Sequence, residues 1–567
     1  MEIRDIIYYA NDVDLELALV NLDWYKAFDL VSIEFTLKAL RKLGFGEQFV
    51  YWVSVLYNDI EIAVQINNIL SNFFPVTRSV RQGCPLSMGL FVVYQEAFYR
   101  AMVKSRIIRP LRMPDTTDTL LLGYADDTTV LITNDESLIE VNNIISQFEL
   151  ATGAILNRNN KTKIFGTGKW NNRDQWPLAW IKVESEYFFT LGIYHSNIYT
   201  SSVSKNFTIC VKAITSHRQL LNNRKLTLYQ RVTYANSCML SKIWYLSHIY
   251  PITPNFAKEI NKIIFLYVWN GKYEPVRRTT VFRPKRVGGL GILNCLIKSK
   301  VIMLNSFLRC KINDEYHNSL MYFYCYIRLH NILAMNYSIH NASISVTPYY
   351  DMIYSLIKDI FHTPGFPILS NKKLYRSMLP SESSYGETQY PTFNWKQIWS
   401  NFSGITFNPF DKEIIFKHLH LCLATNQRLA MMRQSTTSLC NNCSGNFDQT
   451  PLHMFYMCEN IKPLFLWLLR VLLNICNFKP TSNIRFLYFD IVYANLYQKS
   501  ICNIFLYIYI LTIWKTRKEN LRIGILKHMV IGNMTRYLTF IEHMPNHKLE
   551  KLLEEISRLD IKNLVNI

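Results

Sequence analysis

The segment Leu120 to Thr133, LLLGYADDTTVLIT, sets two adjacent carboxylates, Asp126 and Asp127, between two runs of strand-forming residues. Apolar and β-branched runs on either side of a short polar turn predict a hairpin with the acids at its tip. A second apolar run, LALVNLD from Leu17 to Asp23, predicts a buried strand ending in another acid. If that strand lies beside the hairpin, three carboxylates converge on one sheet edge and repel one another. Hard divalent cations remove the conflict: Mg2+ takes oxygen ligands, commonly one or two carboxylates together with phosphates and waters. Two such ions close together activate a hydroxyl and stabilise a leaving pyrophosphate. Taken alone, an ADD turn is more often a solvated hairpin tip.

The flanking pattern argues for a layered fold. Ser32 to Leu43 predicts a helix with Ile33, Leu37 and Leu40 on one face, Ser32 as its cap and Gly44 as its stop. Pro85 to about Lys104 predicts a second helix. Glu136 to Thr152 predicts a third, with Leu138, Val141, Ile145 and Phe148 in register before Gly153. Strand, helix, helix, hairpin, helix is an α/β (α+β) order, and a hairpin inside it makes the sheet mostly antiparallel. From about Asn197 the pattern turns mainly helical. The Pro/Ser/Tyr-rich stretch from Ser377 to Phe393 is the best linker candidate, and no internal repeat is seen. At 567 residues, two to four domains are expected.

With 62 Lys and Arg against 42 Asp and Glu, the formal net charge is +20, which favours a polyanionic partner such as nucleic acid. The start, MEIRDIIYYANDVD, lacks the features of a signal peptide. Ile501 to Trp514 is shorter than the roughly 20 residues a bilayer needs, so a buried helix is expected and no membrane partner. The twelve cysteines are scattered apart from one cluster, which indicates a reduced compartment rather than a disulfide framework. That cluster is Cys440, Cys443, His453 and Cys458, a C-x2-C-x9-H-x4-C spacing. Three thiolates and an imidazole make the closed tetrahedral set of structural zinc; the alternative is a group of unpaired buried cysteines.

Three stretches carry a family resemblance. LVNLDWYKAFDLV from Leu19 to Val31, RQGCPLSMGLF from Arg81 to Phe91, and YADD follow one another in the order and approximate spacing of reverse transcriptase palm motifs. The chain resembles the non-LTR, LINE-type retrotransposon branch in particular. Farther on, Phe148 to Gly166 resembles the helix–turn segment after the catalytic hairpin, FTLGIY the primer-grip hairpin, and LSKIWYL through RPKRVGGLGIL the thumb. A group II intron maturase shares YADD but fits the cysteine cluster less well.

The resemblance implies a right-hand polymerase: a palm with partial fingers over 1–196, a thumb over 197–300, a helical connecting region over 301–435 and a zinc-knuckle-like region over 436–567. It implies an RNA-directed DNA polymerase that uses two Mg2+ ions, with RNA template, DNA primer or target and dNTPs as partners, in nucleus and cytoplasm. Asp23 and Asp126 would bind the metals with Asp127 supporting. Phe28 would pack under the incoming sugar and exclude a 2′-hydroxyl, or serve as a core Phe. Gln82 and Gly83 would lie against the nascent base pair. Arg81 would contact template phosphate or a neighbouring acid, and Lys161 would act as general acid to pyrophosphate or stay solvated. Lys225, Arg231, Lys242, Arg277, Arg278, Arg283, Lys285 and Arg286 would line the template–primer duplex. In LINE-type proteins the cysteine cluster is thought to contact RNA. Complete relatives place an endonuclease and fingers before the segment that begins here, so weak polymerisation is expected, and a remnant that only binds RNA is the alternative reading.

Overall fold

The computed structural model describes residues 1–542 other than 160, 222–223, 272, 313–319, 325–326, 328–345, 361–369, 405–407, 492–495 and 520. Two compact units are built from interleaved segments. One comprises Met1–Cys210, Ile243–Ile252 and Ser299–Asn371; the other Val211–Lys242, Thr253–Lys298 and Lys372–Ile567. Part of 301–435 and the end of 436–567 therefore lie outside the described residues. The expected palm, 1–196, falls whole within the first unit.

The first unit opens with helix α1 (Glu2–Asp12) and strand β1 (Glu16–Leu22), followed by helices α2 (Ile33–Lys42) and α3 (Glu47–Tyr57). Four two-residue strands come next, β2 (Glu61–Ile62), β3 (Gln65–Ile66), β4 (Ile69–Leu70) and β5 (Phe74–Pro75), before helix α4 (Pro85–Lys104). A small ribbon of β6 (Leu111–Arg112) and β7 (Asp118–Thr119) leads to the hairpin β8 (Leu121–Tyr124) and β9 (Asp127–Ile132). Helix α5 (Asp135–Thr152), strands β10 (Lys163–Gly168) and β11 (Lys182–Val183), and the hairpin β12 (Phe188–Thr190) and β13 (Ile193–His195) follow, and the unit also takes in the first part of the helix Tyr199–Leu221, most of the helix Cys295–Ile312 and the helix Pro348–Ile360.

The main sheet has the order β11-β10-β1-β9-β8, and β1 is its buried centre. Pairing is antiparallel except between β10 and β11. This is the α/β, mostly antiparallel arrangement expected from the sequence.

The helices form where local chemistry directs them. Ser32 accepts from the Phe35 amide at the start of α2, Asn134 accepts from Ser137 at the start of α5, and Gly153 ends α5 in the left-handed region at φ 70°. Pro85 occupies the first turn of α4, where its missing N–H costs nothing. Leu90, Phe91, Tyr94 and Phe98 of α4 and Val141, Ile145 and Phe148 of α5 pack with Val20, Val130 and Ile164 of the sheet into one core.

Helix α1 is held by a feature the sequence did not reveal. Arg4 and Asp5 are wholly buried and paired, Arg4 Nη2 to Asp5 Oδ1 at 2.6 Å. Arg4 also donates to the Ile249 carbonyl at 2.6 Å and lies 3.8 Å from the Tyr349 ring centroid, while Tyr350 donates to Asp5 at 2.8 Å. Removing one partner of such a pair costs about 3–5 kcal/mol, because the other charge stays buried.

Beyond the core, α3 and the ribbon of β2 to β5 present an uncovered apolar face. Trp52 is 54% exposed, Ile66 66%, Ile69 75% and Phe73 63%, with Phe45, Phe49, Tyr51 and Leu56 also exposed. Residues 45–77 include Glu47, Asp59 and Glu61 but no Lys or Arg.

The second unit is helical. Leu496–Thr516 is its central buried helix, with Ile501, Phe505 and Ile510 almost inaccessible, in agreement with the expectation for that apolar segment. Lys462–Cys476 and Ile523–Glu542 pack beside it. Among the described residues no helix is long and apolar enough to cross a membrane.

The linker expected over Ser377–Phe393 is a correction. Ser384 and Glu387 form a capping box on the helix Tyr385–Gln389, and Ser384 is 2% exposed. Glu387 takes both Nη groups of Arg283 at 2.8 and 2.9 Å, so the stretch is pinned to the body of its unit.

Candidate functional site

Sheet register brings the acids together. Leu22 pairs with Thr128, and one residue further along the same antiparallel ladder sets Asp23 beside Asp127. Tyr124 pairs with Asp127, leaving Ala125 and Asp126 as a two-residue turn with Ala125 at φ 53°, a strained conformation for a side-chain-bearing residue. The turn is braced from below: the Thr128 hydroxyl meets Gln95 Nε2 at 2.9 Å and the Tyr99 hydroxyl at 2.8 Å. Gly123 has no room for a side chain, since a Cβ there would lie 2.5 Å from the Tyr99 hydroxyl.

Asp126 and Asp127 are exposed at this edge and Asp23 is half-buried. Partial burial, and then the charges of Asp126 and Asp23, raise the Asp127 carboxyl above its ordinary value. That mutual repulsion shows three carboxylates within electrostatic reach, a donor set that suits hard divalent cations. Asp23 is fixed by a residue that the sequence reading missed. Asn157 donates its side-chain amide to Asp23 Oδ2 and its backbone amide to the Asp23 carbonyl at 2.8 Å, while the Asp23 amide reaches Thr162 Oγ1 at 3.4 Å. The loop holding Asp23 therefore carries Lys161, which is exposed.

The segment leading into the loop Arg81–Gly83 is joined to Phe28. The Phe28 carbonyl accepts from Val80 at 3.0 Å, and the Phe28 ring stacks on Phe91 with centroids 4.4 Å apart. Both readings of Phe28 survive in that geometry: the side chain is packed on one face and half-exposed overall. Gln82 and Gly83 are exposed; Gly83 sits at φ 86°, and among the described residues nothing beyond its chain neighbours crowds the position a Cβ would take. Its left-handed backbone accounts for the glycine, and the space above it is open. Arg81 faces protein: its Nη2 donates to the Leu56 carbonyl at 3.0 Å, and its guanidinium lies over the Tyr57 ring. Neither a phosphate nor a neighbouring acid is needed to explain that pose.

The hairpin of β12 and β13 forms where FTLGIY implied it, with Leu191 at φ 47° and Gly192 at φ 79° in its turn. Tyr245 donates to the Leu191 carbonyl at 2.7 Å. Asp127, Tyr124, Leu191 and Tyr245 border one cavity of about 180 Å3, so this turn faces the carboxylate edge.

Residues 2–193 match the family model described as "Reverse transcriptase (RNA-dependent DNA polymerase)". That segment is a reverse transcriptase domain. The chain is also 30% identical over 304 residues to the "Transposon TX1 uncharacterized 149 kDa protein" of Xenopus laevis, an alignment covering 53% of this chain and 23% of that protein. The chain thus spans about a quarter of the relative's length. Together the two matches bear out the LINE-type reverse transcriptase resemblance, and with it the polymerase palm. A structure of telomerase from Candida albicans with a telomeric RNA fragment aligns over 53% of this chain and 49% of that one, at 14% identity and a TM-score of 0.24.

In the helical unit, Cys440, Cys443, His453 and Cys458 place one ligand atom each within 4.8 Å of all the others. The Cys440 amide donates to the Phe447 carbonyl at 2.9 Å in the first turn, and a single π turn spans His453–Met457 before Cys458. Burial, with Cys440 and Cys443 adding to it, raises the Cys458 thiol well above its ordinary value. Three crowded thiols beside an imidazole fit the donor chemistry of a soft tetrahedral cation.

The basic residues expected to line a duplex divide. Lys225, Lys242, Arg277, Lys285 and Arg286 are exposed. Arg231 Nη1 points at the Val268 carbonyl at 3.5 Å. Arg278 is held by Glu274 at 2.5 and 2.8 Å, and Arg283 by Glu387. In the last two the guanidiniums serve internal ion pairs.

Proposed function

We propose that this chain is an RNA-directed DNA polymerase of a non-LTR retrotransposon, extending a DNA primer 3′-hydroxyl with dNTPs on an RNA template. The observation that carries the reading is the meeting of Asp23, Asp126 and Asp127 at one sheet edge inside the matched domain. Asp23 and Asp126 would hold two Mg2+ ions, with Asp127 supporting. When bound, the pair activates the 3′-hydroxyl and neutralises the pyrophosphate. Asn157 fixes the Asp23 carboxylate, Gln82 and Gly83 receive the nascent base pair over the open space above the loop, and Phe28 limits the sugar edge. Lys161, on the loop that anchors Asp23, donates the proton to pyrophosphate. Cys440, Cys443, His453 and Cys458 would hold one structural Zn2+. The reading places the protein in nucleus and cytoplasm.

The test is primer extension by the purified chain on an RNA template with dNTPs and Mg2+, beside an Asp126→Asn/Asp127→Asn variant. Extension lost in the variant, by about 10²-fold or more, is expected from removing the metal-binding charge. Folded protein that binds RNA but extends nothing would overturn the polymerase reading in favour of an RNA-binding remnant.

A further inference from the structure

The helical unit contains a cavity of about 250 Å3 bordered by Pro275, Arg277, Thr280, Tyr385, His420 and Arg428. None of its lining residues is acidic. The acids closest in sequence to its walls are engaged elsewhere: Glu274 by Arg278, and Glu387 by Arg283 and the Ser384 amide. Neither Arg277 nor Arg428 forms an ion pair among the described residues. Arg428 is positioned by two carbonyls, Leu421 O at 3.1 Å and Pro275 O at 3.4 Å, and its buried Nε has no hydrogen-bond partner among the described residues. His420 adds no charge, since burial pushes its pKa down to about 4 and its Nε2 lies 2.7 Å from the Gly288 carbonyl. Two guanidiniums without a counter-carboxylate, the wall residue Thr280 and a half-exposed Tyr385 ring are the elements of an oxyanion site with a stacking surface beside it.

We propose that this cavity binds a phosphate group of a nucleic-acid strand, with Arg277 and Arg428 as its anion partners and Tyr385 against the adjoining sugar or base. The assignment of that strand as RNA rests on the polymerase reading. The cavity is tied to the cysteine cluster through Asn426, two residues before Arg428. The Asn426 amide donates to Gln449 Oε1 at 3.0 Å, and its side chain to the Leu439 carbonyl at 2.7 Å, on the chain next to Cys440. A strand anchored by Arg428 would thus lie beside the zinc segment, and the two would act as one recognition surface.

The experiment is fluorescence anisotropy of the zinc-loaded full chain with a labelled single-stranded RNA 12-mer, repeated with DNA of the same sequence and with inorganic phosphate as competitor. Variants are Arg277→Gln, Arg428→Gln and the charge-matched control Lys479→Gln. Arg277→Gln is decisive because that side chain holds no backbone carbonyl, so its loss is not expected to disturb folding. We expect about a tenfold rise in Kd and a salt dependence shallower by about one unit for Arg277→Gln, against little change in the control. Competition by millimolar phosphate in the parent but not in Arg277→Gln supports a general oxyanion site; RNA discrimination with no phosphate competition supports a strand-specific one. Affinity and salt slope equal to the control in Arg277→Gln would overturn the proposal. Extension activity is scored separately, so an inactive chain whose Arg277 variant loses RNA overturns the polymerase reading alone.

Discussion

Asp127 sits where its own charge is least welcome, and this has a consequence that can be measured. Its folded carboxyl titrates above the ordinary value, first through burial and then through Asp126 and Asp23. The unfolded chain releases this proton near pH 4 and the folded chain at higher pH, so the folded state binds more proton across that window. Stability contributed by the protonated form is therefore lost as pH rises, and the ionised site weakens the fold at neutral pH. Asp127→Asn should melt a few degrees above the parent at pH 7 in metal-free buffer, with the gain vanishing below about pH 4, as read by thermal denaturation. Added Mg2+ should stabilise the parent more than the variant. Phe28 makes a different case, because its ring is packed on Phe91 and half-open on the rest. Phe28→Val should cost about 1 kcal/mol of stability from the lost ring pair and raise the ratio of ribonucleotide to deoxynucleotide incorporation. Unchanged sugar selectivity would leave Phe28 as a core residue only.

At the level of elements, what was legible in the sequence was whatever is encoded within a few residues. Pro85 opens α4 and Gly153 closes α5 because a missing N–H and a left-handed φ are local requirements. The hairpin around Asp126 was equally readable from the strand-forming runs on either side of its polar turn. Features that depend on distant partners were not. The Asn157 to Asp23 bond spans 134 residues and the Arg283 to Glu387 pair 104, and neither leaves a mark in a local window. The stretch around Ser384 was misread although its capping signal, Ser then Glu three residues later, was present; composition outweighed the short-range pattern. The cysteine cluster lay between these cases: its spacing named four candidate ligands, and the fold brings one donor atom of each within 4.8 Å of the others. His453→Ala should take bound zinc from one per chain to none by elemental analysis and loosen the 440–458 segment to protease. Full zinc retention would remove the site. Because binding energy in such modules is folding energy, chelation of the parent should have the same effect.

Across the whole molecule, charge and apolar surface are distributed unequally. With a net charge of +20, any nucleic acid the chain binds under the proposed reading would be held largely through counterion release, with an affinity that weakens steeply as salt rises. The carboxylate edge is a local exception to that field, and so is residues 45–77, with three acids and no base. There the exposed rings and aliphatic chains of α3 and the β2 to β5 ribbon are the kind of surface that seeks a partner or promotes aggregation. Excluded salts such as sulfate strengthen apolar contacts. On the proposed reading, salt high enough to strip a bound RNA would also drive these apolar faces together, so a clean and monodisperse preparation is expected only within a band of ionic strength bounded on both sides.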